Sequence, residues 1–411
     1  METRSQLGTT QRNHYRLFSE GRIGPLTLAN RLIRSATWDP SILKARKMRE
    51  EVLELYRQLA AGGVGLIITG DFSAIPDGLL DADPPRQEEF TYQEVRIEGY
   101  DRLVDMVHAV APACKIVAQV STDTPGVGPS DVPSPFAGER TRPLSAEQVR
   151  LVVYCLVECI AGIQQEGFDG VQLHAAHGGL LSRFLSPYSN RRQDEYGGSV
   201  ANRARLIREV VSGARKKVGD FPILIKMNGT DYLPGGINLD AFPELAREIA
   251  EAGVDAIEIS GGMWECLVRT EAELGFRPVP SPESHTRLKN PDTQSYFLDY
   301  AERLDLDIPV ILVGGNRDVE RLESILRQGA VDYIAMCRPF LSEPDLPRRW
   351  LEGRGSSGTE CISCNSCLYD MYTSLERGEP RVATCWFKQD RLRVGEAQRW
   401  LASWVGQNVS S

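Results

Sequence analysis

The segment Val171-Gln172-Leu173-His174-Ala175-Ala176-His177-Gly178-Gly179 places two imidazoles three positions apart where an apolar run gives way to glycine. On a strand end turning into a loop, His174 and His177 can converge on one oxygen atom. A carbonyl gripped by two fixed donors becomes electron-poor, and so does the β-carbon conjugated to it. Of the five histidines in the chain, two stand at this one strand end. That favours chemistry over the plainer reading, in which each ring only satisfies loop backbone. A metal site is the rival chemical reading. Zinc needs more protein ligands than two, and no third His, Cys or carboxylate stands at a neighbouring strand end in a recognisable pattern. No metal is assigned to the pair.

Rigid elements must position such residues. Eight short apolar runs have strand character: Leu32-Ile33, Val64–Ile68, Ile116–Val120, Gly170–Leu173, Pro222–Met227, Ala256–Ile259, Pro309–Val313 and Tyr333–Met336. Between them lie amphipathic stretches at Met48–Ala61, Tyr100–Val110, Ala146–Gln165, Arg203–Val218, Ala241–Ala252, Tyr296–Leu304 and Val319–Gln328. In the third, Val149, Val152, Val153, Leu156, Val157 and Ile160 recur at helical spacing, the buried stripe of an outer helix. Strands alternating with helices imply parallel βαβ units with right-handed crossovers. The fold expected is an α/β (β/α)8 TIM barrel, although a doubly wound open sheet shares the local pattern. Ser121–Arg142 and Gly261–Pro291 each follow a strand, so in a barrel both lie on the catalytic face. The barrel is expected over residues 16–350. From Gly353 the composition shifts to Gly, Ser and Cys, and 351–411 reads as an extension packed on or beside it.

The chain has 411 residues with 47 basic and 56 acidic side chains, a formal charge of −9. It lacks a basic stripe, which argues against nucleic acid and anionic membranes as partners, and its apolar runs are far shorter than a membrane helix. Met1 to Gly24 is polar without an apolar core, so no secretory signal is expected. Nine cysteines, an odd number, and this N-terminus point to a reducing, cytoplasmic setting. Cys114, Cys155, Cys159, Cys266 and Cys337 lie in apolar or mixed segments and read as buried thiols.

The residues His174–Gly178, then Phe184-Leu185-Ser186-Pro187-Tyr188-Ser189-Asn190-Arg191-Arg192 and Asp194-Glu195-Tyr196-Gly197-Gly198-Ser199, resemble the central motif of the old yellow enzyme family. Further matches run through Asn30–Thr37, Gly63–Gly70 and Val313-Gly314-Gly315, so the resemblance covers roughly residues 16 to 350. It implies a TIM barrel holding FMN at the C-terminal strand ends, reduced by NADH or NADPH, with hydride passed to an activated alkene. It implies that His174 and His177 hold the substrate carbonyl, that Gln119 contacts the flavin pyrimidine, and that Lys226 sits by its N1 edge. Ser35, Ala36, Thr37 and Gly70 would border the ring. Gly314, Gly315, Cys337 and Arg338 occupy the usual barrel phosphate position, where backbone N–H groups and an arginine grip the anion. No G-x-G-x-x-G follows a strand, so FMN rather than FAD is expected.

Two departures stand out. Family members usually carry a proton-donating tyrosine two positions after the second histidine; this chain has Gly179. Tyr188, Tyr232 and Cys266 are candidate replacements. The tail cysteines Cys361, Cys364, Cys367 and Cys385 resemble the iron–sulfur region of the 2,4-dienoyl-CoA reductase branch, with different spacing. Thiolates suit an iron–sulfur cluster or zinc, but the reading preferred is a reduced thiol patch without metal.

The function expected is therefore FMN-dependent, NAD(P)H-driven reduction of the C=C bond of an enone or enal. The alternatives are an ene-isomerase or dehydrogenase without net NAD(P)H-driven reduction, and a flavin electron carrier or redox sensor. An assembly of like subunits is compatible with the sequence.

Overall fold

The computed structural model describes residues 12–389 apart from 44, 82–89, 123, 125, 134–139 and 269–292, together with 395–397 and 399. The barrel strands are β1 (Leu32–Arg34), β2 (Leu66–Ile68), β3 (Lys115–Ser121), β4 (Gly170–Ala175), β5 (Ile223–Thr230), β6 (Ala256–Gly261), β7 (Val310–Leu312) and β8 (Tyr333–Met336). Each pairs in parallel with the next, and β8 returns to β1 through Ala335 opposite Ile33. The sheet is closed. This is a (β/α)8 TIM barrel, and all eight strands fall on the apolar runs expected.

Side chains of alternate residues sort to opposite faces of each strand. Leu66, Ile68, Val117, Leu224, Ala256, Ile311 and Tyr333 form one cluster inside the barrel. The hairpin Gly21–Ile23/Leu26–Leu28 adds Ile23, Leu26 and Leu28 to it, which closes one end. The intervening residues, such as Val171, Leu173, Ile225, Ile257 and Leu312, face the helices in a second, larger core.

The main outer helices are α1 (Glu50–Ala61), α2 (Tyr100–Val110), α3 (Ala146–Gln165), α4 (Arg205–Val218), α5 (Phe242–Glu251) and α6 (Val319–Gln328). α3 starts where Ser145 Oγ accepts from Gln148 N and the Gln148 side chain answers to the Ser145 backbone. That reciprocal cap satisfies two otherwise orphaned donors. Of the expected stripe, Val149, Val152, Leu156, Val157 and Ile160 are buried, Val153 is half-buried, and Ile163 extends the row; each buried side chain of this kind contributes about 1.5–3 kcal/mol.

One helix departs from expectation. Tyr296–Leu304 contains only the single turn Leu298–Ala301. Tyr296 and Phe297 pack edge-on at 4.9 Å against one another, and both lie beneath Gly314. Packing by consecutive aromatics overrides the helical period there. Of the two long loops after strands, 134–139 and 269–291 lie outside the described residues. Much of the tail is described. Residues 357–359 run beside the β7–α6 turn, through Val319 N to Ser357 O and Thr359 N to Arg317 O. Helix α7 (Ser366–Glu376) follows and packs Cys367 and Met371 against Leu341 and Trp38. Cys385 lies just beyond it, and 400–411 are outside the described residues.

Candidate active site

His174 ends the inward-facing row of β4, and register sets it beside Lys226 of β5, which in turn stands beside Glu258 of β6. After Ala176 the chain turns sharply. His177 has φ 60° and Gly178 φ 87°, and Gly179 then serves as N-cap of the helix Leu180–Leu185. A left-handed histidine is an uncommon, strained conformation. It is held from three sides: His177 N donates to Asn228 Oδ1 (3.1 Å), His177 Nε2 lies 2.7 Å from Ser260 Oγ, and its backbone bridges to Met263. Asn228 is itself fixed, donating to Asp231 Oδ1 at 2.9 Å and to the Gly262 carbonyl at 3.0 Å.

The two imidazole centroids are 5.2 Å apart at 60°. Both rings line one cavity of about 530 Å³, within the range of small-molecule and cofactor sites. His174 Nδ1 is buried without a hydrogen-bond partner. Burial first, then His177 and Lys226, holds the His174 pKa well below the ordinary histidine value. The ring is neutral near pH 7, a donor through one nitrogen.

Of the residues expected at the site, Ser35, Ala36, Thr37, Gln119, Lys226, Gly314, Gly315, Cys337 and Arg338 all line this cavity with the histidines. Gly70 does not. Its N–H donates to the Tyr56 hydroxyl at 3.2 Å, and it borders a separate small chamber with Asp39, Asp71 and Tyr100. Thr37 Oγ1 and Cys337 Sγ are 2.8 Å apart, joining β1 to β8. Arg338 donates from Nη1 to Asn365 Oδ1, so the tail engages the arginine at the candidate phosphate position. Gly314 and Gly315 have φ 103° and 73°, and a Cβ on Gly314 would meet the Tyr296 ring at 2.6 Å. Only glycine fits that turn. The candidate proton donors Tyr188, Tyr232 and Cys266 do not line the cavity; they pack with Leu233 and with Met263, which does.

Below the cavity the barrel interior turns polar. Gln119 Nε2 donates to Gln172 Oε1 (2.6 Å), and Gln172 Nε2 donates to Glu258 Oε2 (2.8 Å). Glu258 Oε1 accepts from Ser35 Oγ (2.5 Å) and Lys226 Nζ (3.1 Å). Glu258 and Gln172 went unnoticed inside apolar runs. The signal was present, since each sits at an inward register two residues before Ser260 or His174. Trp38, Trp264 and Tyr372 were also missed. Tyr372 of α7 lies 5.7 Å from Trp38 and 6.4 Å from Trp264, and all three line the cavity. The extension therefore supplies part of the site's wall.

The polar floor and the paired glycines are groups of the chemistry that a flavin ring and its phosphate would require. Residues 16–356 match the sequence model of the NADH:flavin oxidoreductase / NADH oxidase family. The chain belongs to this old yellow enzyme family. It is 31% identical over 364 residues to an NADH oxidase of Thermoanaerobacter brockii, covering 85% of this chain and 52% of that protein. The chain thus spans about half the length of that relative. It is 30% identical to an NADPH dehydrogenase of Bacillus subtilis, covering 81% of this chain and 93% of the relative. The old yellow enzyme homologue of Zymomonas mobilis superposes with a TM-score of 0.62 at 21% identity, over 84% of this chain and 95% of that one, which establishes the shared fold.

Among the described residues no three His, Cys, Asp or Glu side chains come together as a metal-ligand set. Cys361, Cys364, Cys367 and Cys385 are free thiols, and burial pushes that of Cys367 up. No described helix is long and apolar enough to cross a membrane.

Proposed function

We propose that this old yellow enzyme family member is an FMN-dependent oxidoreductase that reduces the C=C bond of α,β-unsaturated carbonyl compounds at the expense of NAD(P)H. The observation that carries the reading is that His174 and His177 share one cavity with Gln119 and Lys226. Ser35, Gln119 and Lys226 would hold the flavin ring, and Gly314, Gly315, Cys337 and Arg338 its phosphate. When bound and reduced, FMN supplies a hydride equivalent. His174 and His177 donate hydrogen bonds to the carbonyl oxygen and stabilise the negative charge that develops on it. Ser260 and Asn228 keep the His177 donor in place, so little reorganisation is needed as that charge appears. Trp38, Trp264 and Tyr372 give the cavity an aromatic wall suited to a planar apolar substrate.

The test is consumption of NADH or NADPH by FMN-loaded protein in the presence of 2-cyclohexenone, with the saturated ketone identified by mass. Protein that binds FMN, is reduced chemically and is then not reoxidised by any activated enone or enal sinks this reading. A second reading rests on Gly179, which lines the cavity without a side chain to deliver a proton. It is isomerisation, recognised by conversion of the alkene at no cost in NAD(P)H, or dehydrogenation of a saturated carbonyl compound, recognised by reduction of the oxidised flavin by that substrate without NAD(P)H.

A further inference from the structure

Glu258 is fully buried near the floor of the barrel, two residues from the interior apolar position of Ala256. An aliphatic side chain would be the ordinary occupant of such a register. An uncompensated carboxylate there would be costly, yet three donors meet it, from β4, from β5 and from the residue that follows β1: Gln172 Nε2 at 2.8 Å, Lys226 Nζ at 3.1 Å and Ser35 Oγ at 2.5 Å. Lys226 Nζ also donates to Ser35 Oγ at 3.0 Å, so ammonium, hydroxyl and carboxylate form a closed triangle.

The direction of these bonds has a consequence. An ionised carboxylate only accepts. Gln172 must therefore turn its NH2 toward Glu258, which leaves its oxygen to accept from Gln119 Nε2, as observed at 2.6 Å. One N–H of Gln119 is thereby committed to the floor, and the orientation of its amide follows. The side chains of β1, β3 and β5 that would lie under a flavin are thus all referred to one acidic group on β6.

We propose that Glu258 is a positioning residue for the flavin site: it anchors the Lys226 ammonium, partly neutralises it, and through Gln172 fixes the Gln119 amide. Electron affinity of the flavin is then set by the Lys226–Glu258 pair and not by Lys226 alone. The proposal rests on the flavin-binding reading above. A cation beside the ring favours the reduced anion, and a carboxylate 3.1 Å behind that cation opposes it.

The test compares the parent, Glu258→Asp, Glu258→Gln, Lys226→Met and the double variant, each loaded with FMN. Midpoint potential is measured by equilibration with a reference dye, and FMN affinity by fluorescence quenching. Glu258→Gln should raise the potential, Glu258→Asp should raise it less, and Lys226→Met should lower it. Each tenfold gain in preference for reduced over oxidised flavin reads as about 30 mV for a two-electron couple. In the Lys226→Met background the effect of Glu258→Gln should largely vanish, because coupled partners are non-additive. An unchanged potential in Glu258→Gln, or the same shift with and without Lys226, overturns the proposal. If Glu258→Gln does not fold, Glu258→Asp decides alone, and an unchanged potential in it is likewise fatal. Failure of the parent itself to bind FMN would instead refute the flavin reading, which separates the two.

Discussion

His177 Nε2 lies 2.7 Å from Ser260 Oγ, whereas His174 Nδ1, one imidazole away, is buried with no partner. One ring is oriented by Ser260 on β6 and the other keeps a nitrogen in reserve. Both belong to a single cavity, which is the arrangement a carbonyl oxygen requires.

Replacing either histidine should therefore slow turnover more than it weakens flavin binding. Loss of one preorganised donor to a developing oxyanion costs about 10²–10³ in rate, so His174→Ala and His177→Ala should each fall by that order. Stopped-flow reoxidation of reduced, FMN-loaded protein by an enone measures it. A variant that loses FMN yet turns over normally once reloaded would remove that histidine from the substrate site.

Gly179 has φ −60° and ψ 165°, a conformation open to any side chain. Gly179→Tyr restores the hydroxyl position that relatives of this motif use for protonation. If proton delivery limits the parent, the variant should gain net enone reduction and lose solvent isotope sensitivity. A parent that already reduces small enones with no solvent isotope effect has no such handicap.

The depressed pKa of His174 ties stability to pH. Its unfolded-state value is about 6.5, and the folded ring refuses the proton. Above pH 6.5 both states are neutral and the group's contribution is fully present. Below it the unfolded chain binds the proton first, so stability falls with pH until the folded pKa is reached. The slope has a ceiling of about 1.4 kcal/mol per pH unit. Urea unfolding of the apo-protein at pH 7.5 and 5.5 should show a smaller loss in His174→Gln than in the parent; equal losses would contradict the buried, neutral ring.

Tyr372 reaches the cavity from the tail and stands 5.7 Å from Trp38. Aromatic pairs of this kind contribute about 0.5–1.5 kcal/mol. Tyr372→Ala should raise KM for aryl enones by about two- to tenfold, while leaving cyclohexenone little changed. Equal effects on both substrates would show that the ring serves folding and not selection.

The order of the barrel was legible because strand and helix periods differ, and eight apolar runs alternating with amphipathic stretches leave few topologies. His174 and His177 were legible because two imidazoles at the end of an apolar strand have little structural reason to be there, whereas Gln119 and Lys226 were reached only through the family resemblance. Glu258 hid inside the run Ala256–Ile259, because an acid in an apolar run reveals its partners only when the sheet closes and brings β1, β4 and β5 to it. The helix expected at Tyr296–Leu304 gave way to aromatics packed under Gly314 and Gly315, a contact between segments about 18 residues apart that no local period encodes.

Sequence alone thus determined the strands and their alternation with helices, and placed two histidines at the end of the fourth strand, since these follow from residue type and short-range spacing. The tertiary structure decided which rows share a cavity, that Gly70 stands apart from it, and that α7 brings Tyr372 and Met371 to its wall. The physical reason is that burial and hydrogen-bond partnership belong to pairs of residues far apart in the chain. Ser35 and Glu258 are separated by 223 positions, yet meet at 2.5 Å only because the barrel closes.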